Sequence, residues 1–391
     1  MQIKKVENNK DIKQFHEVAH KLYKDDKNWI PHLHKDIESV FDPAKNPVFA
    51  HGEAERWILL STDNKAVGRV AAFINRKALE TMEFPVGGMG YFECIDDEKA
   101  AFLLFDTCRH WLEERGMKGM DGPINFGERD RFWGLLVEGF SPPSYMENYN
   151  PPYYRKFFEN YGFQLYFEQF TYSIKKEKFE LGRLEKIAGW VMRKPDYTFA
   201  HLKLDEMDKF AGDFVQIYNA AWQKFENFKP VTETEILAVF KELKPITVPE
   251  YIWFAYVDGK PAAFIVMVPD VNQLFKYVNG KLNLIGKLKF LYHKLTKPMH
   301  KLKGLVFGIH PDYHNLGLDA ALVYHFYQEV SKTWQYTEAG ISWIGGFNPK
   351  MHSLIQALHG EVAKIHYTYR KLFDENLVFK PFQLNEYEKE S

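Results

Sequence analysis

The stretch that decides the fold is LVFGIHPDYHNLGLDAALVYHFYQEV, residues 305–330. It opens with a short apolar run, Leu305, Val306, Phe307, Gly308 and Ile309, whose length and bulk suit a buried strand. A turn follows, from His310 and Pro311 to Leu316 and Gly317. Beyond it Leu322, Val323, Phe326, Tyr327 and Val330 recur at the spacing of one helix face. A strand that stops at a glycine-bearing turn and resumes as a helix aims several unpaired backbone N–H groups at one point. Such a point attracts phosphate or carboxylate, so chemistry is expected here.

Working outward, the same plan is written twice. Phe15 and Tyr23 sit in a helical pattern, and Phe210 and Tyr218 repeat the pair 195 positions later. Trp57 opens an apolar run that breaks at Asp63-Asn64-Lys65 and resumes to Ile74. Trp253 opens another that breaks at Asp258-Gly259-Lys260 and resumes to Val268. Both read as hairpins with tight turns. Late in each half, Asn150-Pro151 and Asn348-Pro349 open helices that close at Gly162 and Gly360, 12 residues on in both cases. Proline in the first turn and glycine past the last is the expected asymmetry. Matches that stay in register over this length indicate a duplication.

In order, the first half reads as a helix over 13–23, a hairpin over 57–74, a strand over 90–94 and a long helix over 100–115. A strand over 120–124, a helix over 152–160 and a closing strand over 164–174 complete it. A connecting helix over 184–192 leads to the second set. That set has a helix over 207–222, a helix begun by the capping box Thr232-x-x-Glu235, a hairpin over 253–268 and the central strand over 305–309. A long helix over 320–332, a strand over 339–343, the Asn348 helix and a closing strand over 363–372 follow. This is an α+β layout of two tandem domains, 1–178 and 179–391, each a mixed central sheet flanked by helices.

Composition narrows the function classes. A chain of 391 residues with 46% hydrophobic and 16% aromatic content fills two packed cores. A net charge of −1 gives no general attraction for nucleic acid, and no DNA partner is expected. Two cysteines, Cys94 and Cys108, exclude a disulfide framework and a four-cysteine zinc site, and no metal is expected. The opening MQIKKVENNKDIKQF lacks an apolar signal segment, and the longest apolar runs are too short to span a bilayer. A cytoplasmic location is expected.

This order of elements, with its strand, glycine turn and helix at the centre, resembles the GNAT acyltransferase superfamily, once per half over nearly the whole chain. It is most similar to a bacterial family of tandem GNAT-like proteins of about this length. The likeness is carried by Tyr218-Asn219-x-x-Trp222, Phe228-x-Pro230-x-Thr232-x-x-Glu235, Pro269-Asp270-x-Asn272-Gln273 and Tyr149-Asn150-Pro151-Pro152-Tyr153-Tyr154, with Ser342-Trp343 leading to Asn348. The resemblance implies acetyl-CoA or another acyl-CoA as cofactor and a small-molecule or peptide amine as acceptor. In active members a loop of the form Arg/Gln-x-x-Gly-x-Gly/Ala holds the CoA pyrophosphate through backbone N–H groups. Laid on this sequence, the loop is His314-Asn315-Leu316-Gly317-Leu318-Asp319. Gly317 matches, His314 stands for Arg or Gln, and Asp319 stands for a small residue. The helix dipole that favours phosphate also favours a carboxylate in the first turn. Asp319 therefore either satisfies the helix start itself or points away and leaves it open. Phe307, Gly308 and Ile309 are expected along the pantetheine arm, and Asn348 as a helix cap or a cofactor contact. In the first half the junction is Glu93-Cys94-Ile95-Asp96-Asp97-Glu98-Lys99, where acids crowd the helix start and no cofactor site is expected.

Forming an amide from a thioester needs a base for the amine and an acid for the departing thiolate. The superfamily's usual acid is a tyrosine seven residues after the late asparagine, where this chain has Phe157 and Ile355. His310, Tyr313 and His352 are the substitutes, His310 foremost because it lies where the central strand meets the loop. Pro269-Asp270-Val271-Asn272-Gln273 reads as an acceptor rim or as a plain turn. The stretch from Gly122 to Asp130 reads as a loop that approaches the other half's site or as surface.

Residues 276–303 interrupt the repeat. They hold eight lysines, His293, His300 and no acid, with Leu284, Leu288, Leu291, Tyr292 and Leu295 at helical spacing. They read as a lid, as a basic amphipathic helix for membrane or RNA, or as a solvated insertion whose lysines face water. The leading expectation is an acyl-CoA-dependent N-acyltransferase. The alternatives are a non-catalytic ligand-binding or scaffold protein on a degenerate GNAT fold, and an aminoacyl-tRNA-dependent peptidyl transferase.

Overall fold

The hairpins form because each apolar run meets residues that take left-handed backbone: Asn64 at φ 58°, then Asp258 and Gly259 at φ 50° and 73°. Turns of that hand match the twist of the flanking strands. The computed structural model describes residues 1–80, 82–223, 230–333 and 335–382; Phe228 lies outside them. The first half contributes strands Gln2–Lys5 (β1), Gly52–Leu60 (β2), Ala66–Asn75 (β3), Val86–Cys94 (β4), Gly119–Gly122 (β5), Leu135–Glu138 (β6) and Gln164–Lys175 (β7). The second contributes Tyr197–His201 (β8), Ile252–Val257 (β9), Lys260–Pro269 (β10), Lys301–Ile309 (β11), Glu338–Gly345 (β12) and Glu361–Leu372 (β13).

All of these strands join one sheet, in the order β1-β2-β3-β4-β5-β13-β7-β12-β11-β10-β9-β8, with β6 against β13. The pairs β4–β5 and β11–β12 are parallel. The two closing strands are exchanged: β7 pairs with β12, from Glu338↔Lys175 to Gly345↔Gln169, and β13 pairs with β5, from Tyr369↔Gly122 to Leu372↔Gly119. They also pair with each other from Glu361↔Ser173 to Arg370↔Gln164. The sequence reading gave each half its own last strand. An alternating strand offers the same two faces to either neighbour, so its pattern does not choose between them.

Helices cover both faces. Leu104, Phe105 and Cys108 of the helix Glu98–Glu113 pack on Ala72, Met89 and Met120 of the first half. In the second half Ala320, Ala321 and Leu322 of the helix Leu318–Ser331 pack on Ala255, Ala263 and Ile265. On the opposite face Phe210, Phe214 and Ile217 of the helix Met207–Trp222 meet Phe254 and Phe264. The capping box at Thr232 and Glu235 is formed, and the helix Glu233–Leu243 follows it. The closing strands are also fixed by a charge pair. Lys364 Nζ on β13 lies 2.6 Å from Glu147, with the two side chains only 3% and 8% exposed. Lys364 also donates to the Pro142 carbonyl at 3.0 Å.

Under the first half's sheet lies a small pocket bordered by His16, His20, His32 and His34. His16 and His34 stack at 4.0 Å, and His20 Nε2 lies 3.1 Å from His34 Nε2. Burial pushes all four imidazoles below their usual range, His20 to about 4 and His32 and His34 to about 3. A histidine held neutral when folded and freely protonated when unfolded stabilises the fold above the ordinary histidine value. That contribution disappears as pH falls from about 6.5 toward the folded values. His32 alone is expected to weaken the fold by up to about 1.4 kcal/mol per pH unit in that window. Urea midpoints at pH 7 and pH 5 check this; a His32→Gln variant with the same acid slope as the parent would refute it.

The lysine-rich insertion forms a helix, Leu284–Thr296, capped by Asn283, whose side chain accepts from the Gly286 N–H at 3.0 Å. Its apolar stripe faces outward, and only one side touches the protein. Phe290 meets Phe275 with ring centroids 5.4 Å apart, and His293 stacks on Tyr277 at 3.8 Å. No helix among the described residues is long and apolar enough to cross a membrane.

Candidate active site

Strand β11 pairs with β10 along its whole length but with β12 only from Lys301↔Glu338 to Gly304↔Ile341. At the divergence the β10–β11 register slips, Met267 facing Gly304 and Val266 facing Val306, which leaves Leu305 as a bulge. Bulges bend strands and recur beside functional sites. From Leu305 to Ile309 the edge turned toward β12 has no strand partner. Interior backbone groups of this kind need a hydrogen-bonding guest, and an extended ligand bearing amides fits them as an added strand would. Gly308 is required here: a Cβ would lie 2.8 Å from the Trp222 ring and 2.9 Å from that of Phe264.

The first half diverges in the same way but is filled. Strands β4 and β5 pair only from Val86↔Gly119 to Gly88↔Asp121. Beyond that, Tyr154 Oη accepts from the Cys94 N–H at 2.7 Å, and Tyr153 Oη donates to the Cys94 carbonyl at 2.9 Å. Tyr23 and Tyr154 both reach the Glu93 carboxylate, at 2.7 and 2.9 Å. Burial raises the Glu93 carboxyl, against the lowering effect of Arg69 and the two phenols. At the helix start Asp97 caps the amides of Lys99 and Ala100. The hairpin registers equate Gly68 with Ala263, so Cys94 corresponds to Ile309 and Glu93 to Gly308. The repeat offset late in the chain equates Tyr154 with His352. Glycine and histidine thus replace the acid and phenol that close the first crevice. His352 turns elsewhere, Nε2 donating to the Gly345 carbonyl at 3.0 Å and Nδ1 accepting from Tyr172 at 2.7 Å.

At the end of β11 the chain turns through Asn315 and Gly317, both left-handed, at φ 60° and 78°. His310 Nδ1 accepts from the Asp312 N–H at 3.3 Å, and His314 Nε2 donates to the Ile309 carbonyl at 3.3 Å. Tyr313 packs beside His310 with ring centroids 5.5 Å apart. Among the described residues no side chain caps the helix at Gly317. Asp319 makes no hydrogen bond or ion pair among the described residues. Of its two sequence-level alternatives, the structure has the carboxylate off the amides. These uncapped amides and the unpaired strand edge together fit an anionic, amide-bearing cofactor. The connecting helix Arg183–Val191 packs on one side of the turn, where a Gly317 Cβ would meet Ile187 at 2.7 Å and Val191 at 2.9 Å.

The divergence opens into a cleft of ≈ 2070 Å³ with walls from both halves and both faces of the sheet. Phe214, Tyr218 and Trp222 line one side, and Phe326, Tyr327 and Val330 the other, with Phe307 and Ile341 between them. Asn348 borders it while its side chain caps the helix Pro349–Ala357, accepting from the Met351 N–H at 3.2 Å. Gly308 and Ile309 continue the strand past the lining. His310, Tyr313, His314, Asn315, Leu316, Gly317, Leu318 and Asp319 lie at its end, beyond the cleft, and His352 lies to its side.

The first half's loop after β5 crosses to this cleft. The Trp343 indole donates to the Arg129 carbonyl at 2.8 Å, and Phe126, Glu128 and Arg131 stand in the wall. The Glu128 side chain stands in the cleft wall, 65% accessible to water. Enclosure there raises its carboxyl; Arg131, 2.6 Å away, opposes this and Asp130 adds to it. Burial likewise raises the Tyr218 phenol, with Asp130 and Glu128 adding, and all three line the cleft. The residue pattern leaves this loop open between site and surface; nothing local to it announces that Trp343, more than two hundred positions on, reaches the Arg129 carbonyl. The Pro269–Gln273 stretch serves as a clasp between halves. Asp270 accepts from the Tyr145 N–H at 3.3 Å, and Asn272 donates to the Pro143 carbonyl at 2.7 Å.

No protein-family model matches the chain. It is 26% identical over 385 residues to Protein YghO of Escherichia coli (strain K12), covering 93% of each chain. It is 25% identical over 368 residues to a bacterial ceramide synthase of Caulobacter vibrioides (strain NA1000 / CB15N), covering 92% of this chain and 94% of that one. Among solved structures it superposes on a tandem GNAT protein from the clavulanic acid biosynthesis pathway with a TM-score of 0.55 at 9% identity, over 95% of this chain and 98% of the other. The fold is a tandem GNAT fold, the α+β architecture of N-acyltransferases.

Proposed function

We propose that this tandem GNAT-fold chain is an acyl-CoA-dependent N-acyltransferase whose substrates carry long apolar chains. The observation that carries the reading is the diverging central strand of the second half, which opens onto a ≈ 2070 Å³ cleft with aromatic walls. Pockets for compact ligands are several-fold smaller, about 300–1,000 Å³. One relative is named a ceramide synthase, and a ceramide is a long-chain amine bearing a fatty acyl group on nitrogen. That chemistry suits these walls.

The acyl-CoA thioester supplies an acyl carbon activated toward attack by nitrogen. The amides at Gly317, Leu318 and Asp319 would hold the pyrophosphate, with His314 and Asn315 shaping the turn before them. The free edge at Phe307, Gly308 and Ile309 would take the pantetheine amides. Phe214, Tyr218 and Trp222 would keep water away and seat an alkyl chain. Glu128, as the carboxylate paired with Arg131, would take the proton of the amine, and the protonated Tyr218 phenol would donate to the departing sulfur. His310 Nδ1 is engaged by the Asp312 N–H and His352 by Gly345 and Tyr172, so these two, with Tyr313 packed beside His310, are assigned to holding the loop and the Asn348 helix in place.

Thermal melting with CoA, acetyl-CoA and palmitoyl-CoA tests the reading. A ligand at a hundred times its Kd adds about 2.7 kcal/mol of stability. The expected result is a rise with palmitoyl-CoA larger than that with acetyl-CoA. Absence of a rise with all three would remove the acyltransferase reading and leave the ligand-binding alternative.

A further inference from the structure

We propose that the helix Leu284–Thr296 docks the protein on an anionic lipid bilayer. Leu284, Ile285, Leu288, Leu291, Tyr292 and Leu295 are 74%, 64%, 60%, 52%, 62% and 77% exposed. A globular surface helix turns such a stripe inward. Here the inward side is held by Phe290 and His293 instead, so the apolar stripe is what the helix shows to its surroundings. Large exposed apolar patches mark interaction sites.

Charge identifies the occupant. Lys281, Lys287, Lys289 and Lys297 flank the stripe, are exposed, and form no ion pair among the described residues. The sequence from 271 to 311 contains eight lysines and no acid, although the whole chain is nearly neutral. An apolar stripe edged by unneutralised lysines is the pattern of a helix lying in a membrane interface, its apolar side among acyl chains and its lysines at anionic headgroups. An uncharged protein groove would match the stripe but would leave the lysines without a counterpart. Position adds to this: Lys287 and Phe290 of the same helix border the large cleft. Docking therefore sets a mouth of the cleft at the lipid surface, where a long-chain substrate resides. The docking stands by itself; its meaning for substrate entry rests on the acyltransferase reading.

The test is flotation of the full chain with phosphatidylglycerol–phosphatidylethanolamine vesicles and, for comparison, phosphatidylcholine vesicles, at low and high salt. Preferential, salt-sensitive binding to the anionic vesicles is expected. A Leu288→Ser/Leu291→Ser/Leu295→Ser variant is expected to bind at least about tenfold more weakly. Each of Lys287→Gln and Lys289→Gln is expected to cost about fivefold on the anionic vesicles alone. Leu288, Leu291, Leu295 and Lys289 face outward and lie off the cleft, so unliganded melting of the triple variant and of Lys289→Gln is expected to be unchanged, and their palmitoyl-CoA shift provides a separate readout of the cleft. Equal binding by the triple variant, or binding to neither vesicle, would overturn the proposal. So would a dimer in sedimentation that the triple variant dissolves, since a second copy would then cover the stripe. RNA bound through the same lysines, without vesicle binding, would overturn it as well.

Discussion

Replacing Lys364 by methionine is expected to lower the stability of the folded chain by about 3–5 kcal/mol, the cost of leaving a buried charge without its partner. The group left behind is Glu147, only 8% exposed. Burial alone would raise its carboxyl; the Lys364 ammonium, then His366, outweigh burial and hold it at about 2. Methionine fills similar volume, so the loss comes from charge and hydrogen bonds. With its folded value depressed, Glu147 contributes stability that is complete above the ordinary carboxylate range and lost as pH falls toward 2. In the variant protonation relieves the buried carboxylate instead, so parent and variant converge as pH falls from the variant's raised carboxyl value toward the parent's depressed one. Urea denaturation of the parent, Lys364→Met, Glu147→Gln and the double variant decides it. The double variant is expected to recover most of the loss; equal destabilisation of Lys364→Met and the double variant would assign the effect to packing.

Glu128→Gln is expected to reduce kcat by about 10²–10⁴, the usual worth of a general base, with little change in acyl-CoA affinity. The amide keeps the shape of the loop, including the backbone carbonyl that receives the Asn125 amide at 3.2 Å. It cannot take a proton. Because enclosure raises the Glu128 carboxyl, the parent rate should climb with pH through that raised value as the base ionises. The variant should lack this limb. A Glu128→Gln enzyme with the parent's pH profile would show that another group accepts the amine's proton.

Much of the architecture was legible because it is written in local chemistry. Hairpin turns at Asn64 and Asp258, the capping box at Thr232 and the turn at Gly317 each depend on neighbouring residues, and their spacing repeats. The short strands β1, β6 and β8 were not foreseen, since a run of four or five residues carries too little periodicity to stand out. The helix His34–Val40 was missed for the same reason. Partner choice was invisible as well. Tyr172 holds His352 from 180 positions away, and Trp343 meets the Arg129 loop from 214 positions away. The pattern in residues 284–295 indicated a helix, but amphipathic spacing does not say which face the rest of the molecule will cover. For the cofactor loop, residue identity alone leaves Asp319 either closing the helix start or standing off it, because side-chain orientation is not a property of the local pattern; in the structure the carboxylate makes no hydrogen bond among the described residues.

The trade of last strands means that covalent continuity between the halves is dispensable for holding them together. A chain cleaved near Gly182, where the linker is exposed, would still be stitched through the centre of its sheet by β7 and β13. Each fragment by itself would carry a bare strand edge and half of a charge pair. The two polypeptides should therefore purify as one particle when produced together, and aggregate when produced apart.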